Sequence, residues 1–179
     1  TFNLPVNGLG GMSLFLVAAN TANPGGVTAG QNAALFWNET AYWGTVYLGP
    51  FQSGINLRFG TTQTGNSISY PRPTSVGSAF TLTEAIKDGT TDAMYVNGAL
   101  VLSQGGKLAT IAGCQSTGNV GRGYNDKPYF AGAIAEVLVY NRALTVAERQ
   151  AVEEYLNNKY AVIPTSPPQI ASQPIHIVR

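Results

Sequence analysis

Short apolar runs, each closed off by a cluster of Gly, Pro or Asn, recur along almost the whole chain, and helical spacing occurs in a single stretch near its end. Punctuation of this kind leaves room for strands and turns but not for long helices, because Gly, Pro and Asn interrupt regular structure every few residues. Ser13 to Ala18 is continuously apolar, as a strand covered on both faces requires. Ala34 to Trp37, Gly44 to Leu48 and Ile55 to Phe59 read as further strands, with loops at Asn20 to Asn32 and Gly60 to Ser67. Phe80 to Ile86 alternates in character and runs into a turn at Lys87-Asp88-Gly89. The sharpest local signal is Asn97-Gly98 between Ala93 to Val96 and Ala99 to Leu102. Asn-Gly adopts the positive φ angles of a type I′ turn, whose twist matches paired strands, so a tight hairpin is expected.

Leu108 to Ala112 predicts another strand, and Gly118 to Lys127 a loop rich in Gly and Asn. In the long run Tyr129 to Tyr140 the apolar residues change parity, Ile134 on one phase and Val137 and Val139 on the other. A bulge near Ala135-Glu136 accounts for the change. The helix begins after Thr145, where Thr145-Val146-Ala147-Glu148 forms a capping box, and Val152, Tyr155, Leu156 and Tyr160 then give one apolar stripe. The expected fold is therefore all-β, a two-sheet antiparallel sandwich with one short C-terminal helix. With 179 residues the chain can bury roughly 70% of its unfolded surface in one core. The domain is expected over residues 1–162. Beyond it, Pro164, Pro167, Pro168 and Pro174 make residues 163–179 a semi-rigid linker. Pro168 to Pro174 resembles the first strand of bacterial immunoglobulin-like modules, and the chain starts with Thr1. Both features suggest a segment of a longer, multi-module protein.

Composition removes several classes of function. Charged residues make up only 11%, against roughly 25% in ordinary globular domains. The surface is thus built from hydroxyls and amides, as is common in extracellular β-domains. Ten basic and nine acidic residues are scattered, so no basic stripe exists to neutralise phosphates, and nucleic acid is a poor partner. No apolar run is long enough to insert across a bilayer as a helix. Cys114 is the sole cysteine, which excludes an internal disulfide and reads as a small buried hydrophobe.

Two segments carry a resemblance. Tyr129-Phe130-Ala131-Gly132-Ala133-Ile134-Ala135-Glu136-Val137-Leu138-Val139-Tyr140-Asn141-Arg142-Ala143-Leu144-Thr145, followed by Glu148-Arg149 and Tyr155-Leu156, resembles the closing motif of laminin-G-like, concanavalin A-like jelly rolls. Met94-Tyr95-Val96-Asn97-Gly98-Ala99-Leu100-Val101 is similar to the central hairpin of that family. The resemblance implies a jelly-roll sandwich. It leaves function open, because the fold hosts lectins, carbohydrate-binding modules, adhesion domains and glycoside hydrolases. Many members carry an acidic residue directly before the glutamate of the motif, in some of them to help hold calcium. Here that position is Ala135, so the resemblance argues less for a structural calcium ion.

Catalysis finds little support in the residues. Glycoside hydrolysis needs two carboxyl groups about 5 to 9 Å apart across the scissile bond. Among Glu39, Glu84, Asp88, Asp92, Asp126, Glu136, Glu148, Glu153 and Glu154 no alternating Glu-x-Asp pair occurs on a strand. The only histidine, His176, falls in the linker, so no Ser-His-Asp arrangement is available within the domain. Glu136 reads as a structural carboxylate pairing with Arg142 or backbone N–H groups.

Binding fits better. Trp37-Asn38-Glu39-Thr40-Ala41-Tyr42-Trp43 places both tryptophans and a tyrosine beside an amide and a carboxylate, the makings of a sugar-stacking platform. Trp37 continues the apolar run Ala34-Leu35-Phe36 and so equally suits the core, whereas Tyr42 and Trp43 sit at an expected turn. A second candidate is Gly121-Arg122-Gly123-Tyr124-Asn125-Asp126-Lys127, where Arg122, Tyr124, Asn125 and Asp126 offer donors, acceptors and a ring. Asp126 is also suited to calcium; an ordinary solvated turn is the competing reading. Arg58, beside polar and aromatic residues, completes the set. The expected function is a non-catalytic carbohydrate-binding, lectin-like module of a secreted bacterial protein, with a polysaccharide or glycan as ligand and neighbouring modules of its own chain as partners. The alternatives are an adhesion or spacer domain and, behind it, a glycoside hydrolase.

Overall fold

The computed structural model describes residues 1–20, 33–39, 46–51, 54–60, 66–71, 79–123 and 129–164. Among them the strands are β1 (Phe2–Asn3), β2 (Gly11–Asn20), β3 (Leu35–Glu39), β4 (Val46–Phe51), β5 (Gly54–Phe59), β6 (Ser67–Pro71), β7 (Thr81–Asp88), β8 (Thr91–Val96), β9 (Ala99–Gln104), β10 (Cys114–Val120) and β11 (Gly132–Tyr140), followed by the helix α1 (Val146–Tyr160). They form an antiparallel six-stranded sheet, in the order β1-β10-β3-β4-β5-β6, and an antiparallel five-stranded sheet, in the order β11-β2-β7-β8-β9. The all-β sandwich with a C-terminal helix is the expected architecture.

Strand β2 shows why the layers stack. Met12, Leu14, Leu16 and Ala18 face the core between the sheets, where they meet Leu35, Trp37, Val46, Leu48, Ile55, Leu57 and Phe59 of the six-stranded sheet. Phe15 and Val17 face the other way and pack with Leu82 against Leu156 and Val162 at the helical end of the chain. Each such Leu, Val or Phe, fully buried, contributes about 1.5–3 kcal/mol. A continuous apolar run is thus the signature of a sheet covered by a second sheet on one side and a helix on the other.

The bulge in β11 lies where the parity change places it. Ile134 opposes Ala18 and Glu136 opposes Val17, leaving Ala135 as the extra residue. Its insertion lets Ile134, Val137 and Val139 all turn toward the inter-sheet core while Leu138 and Tyr140 turn toward the helix. Asn97 and Gly98, with φ of 49° and 78°, close the β8–β9 hairpin as expected. Asn97 also ties the turn to β7: its side-chain oxygen accepts from Leu82 N–H at 3.0 Å, and its own N–H donates to Leu82 C=O at 2.9 Å.

The helix cap forms as read from the sequence. Thr145 Oγ1 accepts from Glu148 N–H, and the Glu148 carboxylate accepts from Thr145 N–H at 2.9 Å. Arg142 donates two 2.7 Å bonds to the same carboxylate, which with the Thr145 donors draws its pKa down to about 2. Thr145→Ala is expected to cost roughly 1 kcal/mol, read as a lower urea midpoint with an unchanged slope. The stripe needs one correction. Leu156 is buried and Val152 and Tyr160 are half-buried, but Tyr155 stays 46% exposed at the edge of the helix–sheet contact.

Four features of the strand pattern differ from the sequence reading or are missed by it, for physical reasons. Leu108 to Ala112 is not a strand; Ile111 is buried in a loop held by N–H donation to Leu9 C=O and by Gly8 N–H. The strand is the polar β10, seated between β1 and β3, so neighbours override its weak intrinsic preference. Gly118 is required there, because a Cβ would fall 2.2 Å from the Phe2 ring. Strand β6, Ser67–Pro71, is an edge strand too polar to stand out in the sequence. Finally, Lys87 is no turn residue: it lies in β7, fully buried, facing the inter-sheet core opposite Met12 and Asp92.

Candidate functional site

The two sheets differ in what their outer faces carry. On the five-stranded sheet that face is roofed by α1. On the six-stranded sheet, the residues that alternate with the core positions are Phe36 and Asn38 on β3, Tyr47 on β4, Asn56 and Arg58 on β5, Ser67 and Ser69 on β6, and Asn119 on β10. Phe36 and Tyr47 are buried with Ala33 in a small cluster of their own, separate from the main core. Around these rings lie polar groups. Asn119 Nδ2 donates to Asn38 Oδ1 at 3.0 Å, and Ser69 Oγ donates to Asn56 Oδ1. The Arg58 guanidinium lies 5.4 Å from the centre of the Tyr47 ring. Burial raises the Tyr47 hydroxyl pKa, against the opposing pull of Arg58 and a hydrogen bond with Ser67, so Tyr47 is a neutral phenol at physiological pH. With both rings buried, the described part of the face offers planar amides, hydroxyls and the Arg58 guanidinium, groups that hold hydroxylated ligands.

The sequence-derived candidates divide three ways. Arg58 belongs to this face and is half-buried. Trp37 does not: its alternation points it into the inter-sheet core, fully buried, edge-on to Phe2 and donating Nε1–H to Leu4 C=O at 2.9 Å. A ring enclosed on all sides cannot stack on a sugar, so Trp37 is withdrawn from the ligand-binding set. Glu39 ends β3 opposite Cys114, and Arg122 bridges to Tyr129 just beyond β10. Tyr42, Trp43, Tyr124, Asn125 and Asp126 lie outside the described residues. Tyr47, Asn56, Ser67, Ser69 and Asn119 escaped the sequence reading; their only signal is a polar or aromatic residue at every second position of strands that are individually short.

Among the described acids, Glu84, Asp92, Glu136, Glu148 and Glu153 have structural partners. Glu136 does not pair with Arg142. It accepts at 2.9 Å from each of Tyr155, Lys159 and Tyr160, and these donors, Lys159 foremost, hold its carboxyl below the usual range. The reason is direction: β11 presents Glu136 to the last turn of α1, while Arg142 is taken by Glu148. This arrangement does not fit a calcium ion at the family's acidic position, since Ala135 supplies no carboxylate and the Lys159 ammonium already neutralises Glu136. Among the described residues no group of three His, Cys, Asp or Glu side chains could hold a metal. Asp92 sits buried in β8 and pairs with Lys87 at 3.2 Å. Glu84 and Glu153 do converge, but beneath α1 with Arg149 between them, buried and not lining an opening. A hollow of about 310 Å³ between Leu4–Leu9 and the end of β11 is lined by Leu4, Val6, Met12 and Val139 and contains no acid. Burial pushes the Cys114 thiol up to about 12, which removes it as a nucleophile. No described helix is long and apolar enough to cross a membrane.

Comparison with known proteins agrees with this architecture. Solved structures that share it include the CBM40 domain of the Ruminococcus gnavus IT-sialidase bound to α2,3-sialyllactose, at a TM-score of 0.61 and 14% identity, covering 83% of each chain. Domain 4 of AbnA, a GH43 extracellular arabinanase from Geobacillus stearothermophilus, in complex with arabinotriose, superposes at 0.59 with 17% identity over 79% of this chain and 66% of that one. A heptameric SAP-like pentraxin from Limulus polyphemus reaches 0.56 at 12% identity over 84% and 72%. At such identities the likeness is one of fold. Among curated proteins, none matches in sequence. At the family level, residues 22–148 match the concanavalin A-like lectin/glucanases superfamily. Spanning most of the sandwich, that match agrees with the strand order and the closing motif, and the chain belongs to this superfamily.

Proposed function

We propose that this domain is a non-catalytic carbohydrate-binding module that holds a glycan on the outer face of its six-stranded sheet. The observation that carries the reading is the layout of that face: Asn38, Asn56, Ser67 and Ser69 share it, at least partly exposed, with the Arg58 guanidinium, which lies over the buried Tyr47 ring. Similar domains bound to sialyllactose and arabinotriose support a sugar as the ligand class. The described acids support the absence of hydrolysis, because those that meet do so under the helix. On sequence grounds Tyr42, Trp43, Arg122, Tyr124, Asn125 and Asp126 remain proposed contributors. A secreted, multi-domain parent protein is part of the same reading; the extracellular arabinanase is one similar protein with such a setting.

Affinity electrophoresis in polysaccharide gels, together with a glycan array, tests it. The domain should be retained by at least one glycan, with Asn56→Ala and Arg58→Ala each weakening that binding roughly tenfold or more. Unchanged thermal unfolding would assign those losses to the ligand. Failure to bind any glycan, or binding indifferent to both substitutions, would remove this face from consideration.

A further inference from the structure

The outer face of the five-stranded sheet buries an unbalanced set of charges. Glu84 projects from β7 in a cross-strand row between Phe15 of β2 and Tyr95 of β8, and it is fully buried. From α1, Arg149 and Glu153, one turn apart, close over it, each only 8% exposed. Arg149 Nη1 stands 3.4 Å from Glu84 Oε2 and also bonds Glu153 Oε1, while its guanidinium lies 4.0 Å from the centre of the Tyr95 ring. Glu84 Oε1 is buried without a donor. The groups facing Glu84 are therefore Arg149 and Glu153 from the helix, Tyr95 from β8 and the uncharged Phe15 from β2. Lys87 and Asp92 belong to the opposite face of the same strands.

Two carboxylates against one guanidinium leave one net negative charge in a dry contact, which is costly enough that such groups take up a proton instead. A hydrogen on one carboxyl settles both difficulties, since its O–H can be donated to the other. We infer that a single proton held between Glu84 and Glu153 fastens α1 to the five-stranded sheet, and that the helix loosens as this proton is lost. The inference does not depend on the ligand reading. Burial foremost, then the adjacent Glu153 charge, holds Glu84 up at about 8 against the opposing pull of Arg149, from an ordinary value of 4.5. The docked pKa thus exceeds the undocked one. Docking is strongest below the ordinary value and weakens as pH rises toward about 8, beyond which it changes no further. Glu153 also packs over the β8–β9 turn, where a Cβ on Gly98 would meet its Oε1 at 3.6 Å, so the same contact pins the hairpin.

Hydrogen exchange along α1, corrected for the intrinsic pH dependence of amide exchange, reads the effect. In the wild-type domain the opening constant of amides from Val152 to Tyr160 should rise by up to about tenfold per pH unit between pH ~5.5 and ~7.5, then level off. Glu84→Gln, which donates a hydrogen bond but does not titrate, should abolish the slope. A flat wild-type profile, or an equal slope in Glu84→Gln, overturns the inference. Should Glu84→Gln fail to fold, carbon-13 titration of the wild-type Glu84 carboxyl decides: a midpoint near neutrality supports the latch, and one in the ordinary carboxylate range overturns it.

Discussion

Trp37→Ala is expected to destabilise the domain by about 3–5 kcal/mol, the cost of emptying a large aromatic site in a packed core. Trp37 is fully buried, its ring stands edge-on to Phe2 with centroids 4.9 Å apart, and its Nε1–H meets the Leu4 carbonyl. Removing it opens a cavity and strands that carbonyl, which also holds the β1 segment against the six-stranded sheet. Trp37→Phe keeps most of the volume and should recover part of the loss, the remainder reporting the hydrogen bond, about 1 kcal/mol. Urea denaturation measures both. A loss well under 1 kcal/mol for the alanine variant would place the ring outside the core and return it to the ligand-binding set.

Trp37 also shows where sequence reading stops. Its apolar neighbours Ala34, Leu35 and Phe36 announced a buried strand, and buried it is, yet chemistry alone made it an equal candidate for a platform. Only the strand's phase decides. The hairpin at Asn97-Gly98, the bulge at Ala135 and the cap at Thr145 were legible because each follows from local geometry. Strands β10 and β6 were not, since Cys114–Val120 and Ser67–Pro71 gain their structure from the neighbours they pair with. The same limit hid the polar face. Tyr47, Asn56 and Ser69 lie on three successive strands, and no spacing along the chain reveals that pairing brings them together.

Asp92→Ala should cost about as much again, roughly 3–5 kcal/mol, for a different reason. The Lys87 ammonium is wholly enclosed between the sheets, held by Asp92 at 3.2 Å, by the Leu108 carbonyl, and by the Phe59 ring 6.0 Å away. Without the carboxylate it becomes a buried cation with no counter-charge. The double variant Lys87→Met/Asp92→Leu removes both charges at similar volume. It should lie within about 1–2 kcal/mol of the wild type or exceed it, because desolvating an ion pair offsets most of its attraction. A double variant as unstable as the single one would show that the pair contributes through hydrogen bonding to Leu108 and not through charge balance.

The helix over the five-stranded sheet has one more effect. On the glycan-binding reading proposed above, the site lies on the face away from α1, and each domain is expected to grip its ligand at that one place. Persistent attachment to a repeating polymer then depends on how many copies are strung together and how far apart they sit, because tethering raises local concentration where one weak grip does not.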